Sequence, residues 1–72
     1  MEISYDKKAD AMYIEFRKGE FAKNKKIDDF TIADFDASGH LLGIELLDVS
    51  KRMPAKSLSQ VNVKNLAVAT AR

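Results

Sequence analysis

Asp34, Asp36, Glu45 and Asp48 are the residues whose types and spacing bear most directly on chemistry. Asp34 and Asp36 stand two apart in a stretch that reads as a β-strand, so they share a face. Glu45 and Asp48 follow on the strand expected to pair with it. Such a face can hold an oxygen-ligated cation such as Mg²⁺. It can equally be a solvated acidic face or a docking surface for basic residues. The loop Asp36-Ala37-Ser38-Gly39 lacks the Asp-x-Asp-x-Asp-Gly ladder of a calcium loop, and no bound metal is expected. His40 is the single histidine. Imidazole needs a second group to orient it as a base or ligand, and a turn tip rarely offers one, so His40 reads as a polar turn residue. None of the serines sits in a nucleophile-elbow pattern. The absence of cysteine excludes disulfide scaffolds, thiol catalysis and thiolate metal sites. With no phosphate loop, dinucleotide fingerprint or zinc pattern, the sequence implies no catalytic residue and no cofactor.

The elements that must position these residues read mainly as β. Ile3 and Tyr5 alternate with polar neighbours, and Met12, Ile14 and Phe16 alternate with Tyr13, Glu15 and Arg17. Asp6 can close the intervening turn with its own carboxylate. Residues 21–27, rich in lysine, suit an edge strand protected against stray pairing, and Asp28-Asp29 marks a bend or bulge. Residues 30–36 and 41–48 flank Ala37-Ser38-Gly39-His40, where Asp36 and Gly39 meet the needs of a tight hairpin closing on a left-handed residue. Gly43, mid-strand without a side chain, suggests a bulge or close packing. Pro54 suits the first turn of a helix over residues 54–60, and Ser57-Leu58-Ser59-Gln60 matches a capping box that would start a helix three residues later. Residues 61–69 are readable as helix or strand. The fold class is therefore mainly β (α+β): a small antiparallel β-meander of about five strands over residues 1–50, followed by a basic C-terminal segment, 51–72, containing a short helix.

Seventy-two residues make one small domain, with a radius of gyration of about 11 Å if compact. The chain is 46% hydrophobic and 32% charged, in keeping with a globular protein. Its net charge of +1 conceals segregation: residues 1–26 carry +2, residues 27–50 carry −6, and residues 51–72 carry +5. A basic arm for nucleic acid is one reading. The plainer one lays the basic tail across the acidic middle, in the same subunit or a neighbour. The tail's basic residues lack interleaved aromatics, so a stacking platform for single strands is unsupported, and nucleic acid is not the expected partner. The first eight residues carry charges and no apolar run, unlike a secretory signal. No apolar stretch approaches the ~20 residues of a bilayer span. The expectation is a soluble cytoplasmic protein without a membrane partner.

Two strings carry a resemblance. Ser4-Tyr5-Asp6 is followed by Ala9-Asp10-Ala11-Met12-Tyr13-Ile14, and Asp34-Phe35-Asp36 by Gly39 and then Gly43-Ile44-Glu45-Leu46-Leu47-Asp48-Val49-Ser50. Over roughly residues 3–50 the chain resembles the small prokaryotic proteins of domain-of-unknown-function family 2283. The resemblance implies a small antiparallel β-fold, no established activity, and an association with small toxin-like proteins. It defines no catalytic residue to carry over.

Taken together, these features favour a non-enzymatic protein-interaction module, antitoxin-like in the sharper version. The alternatives are a small enzyme or divalent-cation-binding protein using the acidic face, and a nucleic-acid binder using the basic tail. A meander has one face to cover, and only the C-terminal segment can supply a second layer. Leu58, Val61, Val63, Leu66 and Val68 are the candidate interface, each worth roughly 1.5–3 kcal/mol when fully buried. Exchange of the tail between two subunits would make a dimer.

Overall fold

The computed structural model describes residues 1–64. Leu66 and Val68 lie outside the described residues. Five strands, β1 (Glu2–Asp6), β2 (Ala11–Glu15), β3 (Lys23–Asp28), β4 (Thr31–Phe35) and β5 (Leu41–Leu46), precede a short helix, α1 (Val49–Arg52), and a 3-10 turn at Ala55–Leu58. All strand pairs are antiparallel. The five-strand sheet is the one the alternation implies, but its order is β1-β2-β5-β4-β3. Strands β3, β4 and β5 form a meander, and β5 then returns to pair with β2, leaving the lysine-rich β3 on one edge and β1 on the other. The connection from β2 to β3 therefore crosses the ends of β5 and β4. It is tied there by Phe16 N–H to the Leu42 carbonyl (2.7 Å) and Ala22 N–H to the Phe35 carbonyl (2.9 Å). It covers Leu42, which is 4% exposed.

Carboxylates make the turns without help from distant residues. Asp6 Oδ1 accepts from the N–H groups of Lys8 (3.0 Å) and Ala9 (3.1 Å), and Asp28 Oδ1 accepts from Phe30 N–H at 2.9 Å. In the β4–β5 hairpin, Asp36 Oδ1 accepts from Ser38 N–H (2.9 Å) and His40 N–H (2.8 Å). Gly39 has φ +90°, a region that costs a residue with a Cβ. The irregularity expected at Asp28-Asp29 falls between Lys26 and Asp28, and a second lies beside Phe35, opposite Leu41.

Pairing register divides the side chains into two faces. One carries the rows Ile3, Ile14, Ile44, Ala33 and Tyr5, Met12, Leu46, Thr31; the other carries Ser4, Tyr13, Glu45, Ile32 and Glu2, Glu15, Gly43, Asp34. Helix α1 closes over one end of the apolar face. Its Val49 is fully buried, and Val49 N–H donates to the Asp10 carbonyl at 3.1 Å. The Asp10 carboxylate accepts from Ser50 Oγ (2.7 Å), Ser50 N–H (3.0 Å) and the Tyr5 hydroxyl (2.8 Å). These bonds hold its pKa below, and that of Tyr5 above, the ordinary value. On the other side, Arg52 donates to the Phe30 carbonyl (2.6 Å) and Thr31 Oγ1 (2.9 Å). So α1 clasps the β1–β2 turn to the β3–β4 turn. Asp10, ending the β1–β2 turn, and Asp48, entering α1, have φ 53° and 51°, a left-handed conformation that aspartate tolerates better than bulkier residues.

The described part of the C-terminal segment holds one helical turn, of 3-10 type, at Ala55–Leu58 within the stretch 54–60 where one was expected. Pro54 precedes the 3-10 turn, with ψ 154°, instead of lying inside a helix. Residues 61–64 form neither helix nor strand, so the Ser57–Gln60 box starts no helix in them. One turn over Ala55–Leu58 leaves too little length to sustain helical hydrogen bonding.

Candidate functional site

Gly43 is the centre of the polar face. It leaves a gap in the row Glu2, Glu15, Gly43, Asp34, and the Tyr13 side chain from the neighbouring row lies across it. A Cβ at Gly43 would overlap the Tyr13 hydroxyl and approach the Ile14 carbonyl oxygen to 2.5 Å. Around the gap stand Asp34 from β4, Glu45 from β5 and Glu15 from β2. Asp34 is 6% exposed, and its Oδ1 is buried without a hydrogen-bond partner. Glu45 is half-buried, and its carboxyl lies in hydrogen-bonding range of Asp34. That hydrogen bond, with burial and the Asp34 charge, raises the Glu45 pKa: a proton shared by two carboxyls stabilises the neutral form of one. Burial, followed by the charges of Asp34, Glu15 and Glu45, likewise raises the Tyr13 pKa. A shallow groove of about 360 Å³, lined by Ser4, Asp6, Ala11, Tyr13 and Glu45 among others, adjoins this cluster.

The expected four-carboxylate face is thus divided. Asp34 and Glu45 come together. Asp36 does not join them, because the β4–β5 turn takes its carboxylate; it accepts from Ser38 and His40. Asp48 sits at the left-handed residue before α1. No group of three or more His, Asp or Glu able to hold a metal ion occurs among the described residues. The hairpin does provide His40 with an orienting group, against expectation: Nδ1 lies 3.0 Å from Asp36 Oδ2. The pair is exposed on the turn.

The described part of the basic tail does not cross the acidic cluster. It lies on the apolar face, since α1 docks beside Tyr5 and Thr31, and Val61 and Val63 lie beside Ile3, Ile14 and Phe16. Burial of Val49 brings α1 to that face, and Lys51 and Arg52 with it. The ion pairs of this region are local instead: Lys18 with Glu15 at 3.4 Å and Lys26 with Asp29 at 3.6 Å.

The expected interface residues are only partly covered. Leu58 is half-buried, whereas Val61 and Val63 are 61% and 78% exposed. With Met1, Ile3, Ile14 and Phe16 they line an apolar groove of about 600 Å³.

Tyr13 is the site residue that sequence reasoning missed. Alternation places it opposite Met12 and Ile14, and Gly43 marks a missing side chain. Only the pairing of β2 with β5 brings the two together.

A family model described as protein of unknown function (DUF2283) matches residues 2–50. The chain belongs to this family. No curated protein and no solved structure matches it. The DUF2283 segment takes in the whole sheet and the first residues of α1, including the Asp10–Ser50 clasp and the Tyr13, Asp34, Gly43 and Glu45 cluster. Val61 and Val63 fall beyond it. Among the described residues, no helix is long and apolar enough to cross a membrane.

Proposed function

We propose that this DUF2283 chain is a cytoplasmic, non-enzymatic interaction module that works as a homodimer, joined through the apolar face and its C-terminal segment. The observation that carries this reading is a sheet with too little above it. Met12, Ala33, Leu42 and Val49 are the buried hydrophobic residues. The molecule measures 38 × 30 × 19 Å with a radius of gyration of 14.0 Å, against about 11 Å for a compact chain of this length. Ile3, Phe16, Val61 and Val63 remain between 37% and 78% exposed around one groove. Burying apolar surface is worth about 25 cal/mol per Å², and net stability in small domains is only a few kcal/mol. A second copy presenting the same groove supplies the missing layer in a closed two-fold arrangement.

A dimer joined in this way leaves the polar face open. The small toxin-like proteins that the family resemblance suggests are the second partner class, which makes the module antitoxin-like. Light scattering at micromolar concentration tests the dimer, with an expected mass twice the 8.1 kDa of the chain. Ile3→Lys with Val63→Lys should return it to a monomer. A chain that stays at 8.1 kDa, and whose melting temperature survives truncation after Ser50, refutes the reading.

A further inference from the structure

We propose that the acidic cluster beside Gly43 on the polar face, which the Tyr13 side chain covers, receives an arginine side chain of a protein partner. The inference rests on the interaction-module reading and adds the chemistry of what is bound.

Asp34 presents the strongest demand. A buried carboxylate oxygen without a donor is costly and calls for a partner. Asp34 Oδ1 is in that state, inside a residue only 6% exposed. Glu45 stands on the neighbouring strand on the same face, one register step from Asp34. A guanidinium offers several N–H donors in a fixed plane, so it can serve both carboxyls. Tyr13 supplies the third element. Its ring lies over the bare backbone of Gly43, and guanidinium planes stack on aromatic rings. Entry of the ligand moves the ring from Gly43 onto the guanidinium and uncovers Asp34. The adjoining groove, lined by Ser4, Tyr5, Asp6, Ala11, Met12, Tyr13 and Glu45, leads to the cluster and carries two carboxylates, Asp6 and Glu45.

No described cation of this chain takes the place. Lys18 pairs with Glu15, Lys26 with Asp29, and Arg52 donates to Phe30 and Thr31 on the other side of the sheet. Lysine, a point charge without a fork, matches the two carboxyls and the ring less well. A metal ion lacks a third ligand among the described residues.

The test is an NMR titration of the full chain with an amidated hexa-arginine peptide, beside hexalysine and hexacitrulline peptides. Citrulline keeps the shape of arginine and removes its charge. Saturable shifts of the Tyr13 ring and of the Gly43 and Glu45 amides are expected with arginine. Hexalysine should bind at least tenfold more weakly, and hexacitrulline should cause no shift. Asp34→Asn and Glu45→Gln should each weaken the arginine peptide about tenfold, with thermal unfolding of each variant recorded to show that it folds. Equal responses to arginine and citrulline, shifts centred on Glu2 or Asp29, or undiminished affinity in both folded variants would overturn the proposal. Masses measured on the same samples separate the two readings. A dimer that ignores the arginine peptide sinks this inference alone, and a monomer that binds it sinks only the dimer.

Discussion

Gly43→Ala probes whether the polar face is built around a missing side chain. Within a strand, alanine is more stable than glycine by roughly 0.5–1 kcal/mol, so an open position would gain from the change. Here the added Cβ would meet the Tyr13 hydroxyl and Cζ and come within 2.5 Å of the Ile14 carbonyl oxygen. The tyrosine can swing aside, but the carbonyl is backbone of β2. Overpacking costs roughly 1–3 kcal/mol, which exceeds the intrinsic gain and reverses its sign. In a domain of this size each kcal/mol moves the melting temperature by about 4–8 °C. Urea unfolding of wild type, Gly43→Ala, Tyr13→Ser and the double variant, at one protein concentration, completes a cycle. Removing the ring should cost less in the alanine background than in wild type, because part of the collision leaves with it. The coupling expected for residues in contact is about 0.5–3 kcal/mol. A Gly43→Ala protein as stable as wild type, or strict additivity in the double variant, would refute the packing of Tyr13 across Gly43.

Gly39→Val should destabilise the fold by about 1 kcal/mol or more through its positive φ. No atom lies within 4 Å of a Cβ there, so Gly39→Asn, which tolerates that conformation better, should recover much of the loss in a melting scan. Glu45 has its pKa raised above the ordinary 4.5. Its stabilising contribution is therefore complete below that value and is lost as pH rises through the folded pKa. Unfolding free energies from about pH 4 to about pH 7 should then show Glu45→Gln gaining on wild type as pH rises, and a difference independent of pH would contradict the shared proton. Asp10 is shifted the other way by its bonds from Ser50 and Tyr5. Its contribution is present above the ordinary value of 3.8 and fades in acid below it, a fall that Asp10→Asn should flatten. Millimolar Mg²⁺, Ca²⁺ or Zn²⁺ should leave the melting temperature unchanged, since any ion bound only by the folded state raises it; an increase reversed by chelator would restore the cation reading of the acidic face.

Much of the sheet was legible because its signals are short-ranged. Alternation around Ile3, Tyr5, Met12 and Ile14 identifies two strands, and Asp6, Asp36 and Gly39 identify turns whose hydrogen bonds span only a few residues. Helix α1 was not legible. Val49–Arg52 is a single turn, too short for periodicity, and it persists because Asp10 and Phe30, distant in sequence, bind its two sides. The same cause hid which carboxylates meet, since the approach of Asp34 to Glu45 depends on the register between β4 and β5.

Residue chemistry and local pattern by themselves determined that this chain makes antiparallel strands, that it lacks the groups for thiol, zinc or phosphate-loop chemistry, and that its carboxylates gather in the β4–β5 region. Tertiary structure decided which of them meet. The return of β5 to β2 sets Tyr13 beside Glu45 and Gly43, and the burial of Val49 takes α1, with Lys51 and Arg52, to the opposite face. Those outcomes depend on pairings between distant strands, whose energies come from a whole face packing at once, so no short stretch of the sequence carries them.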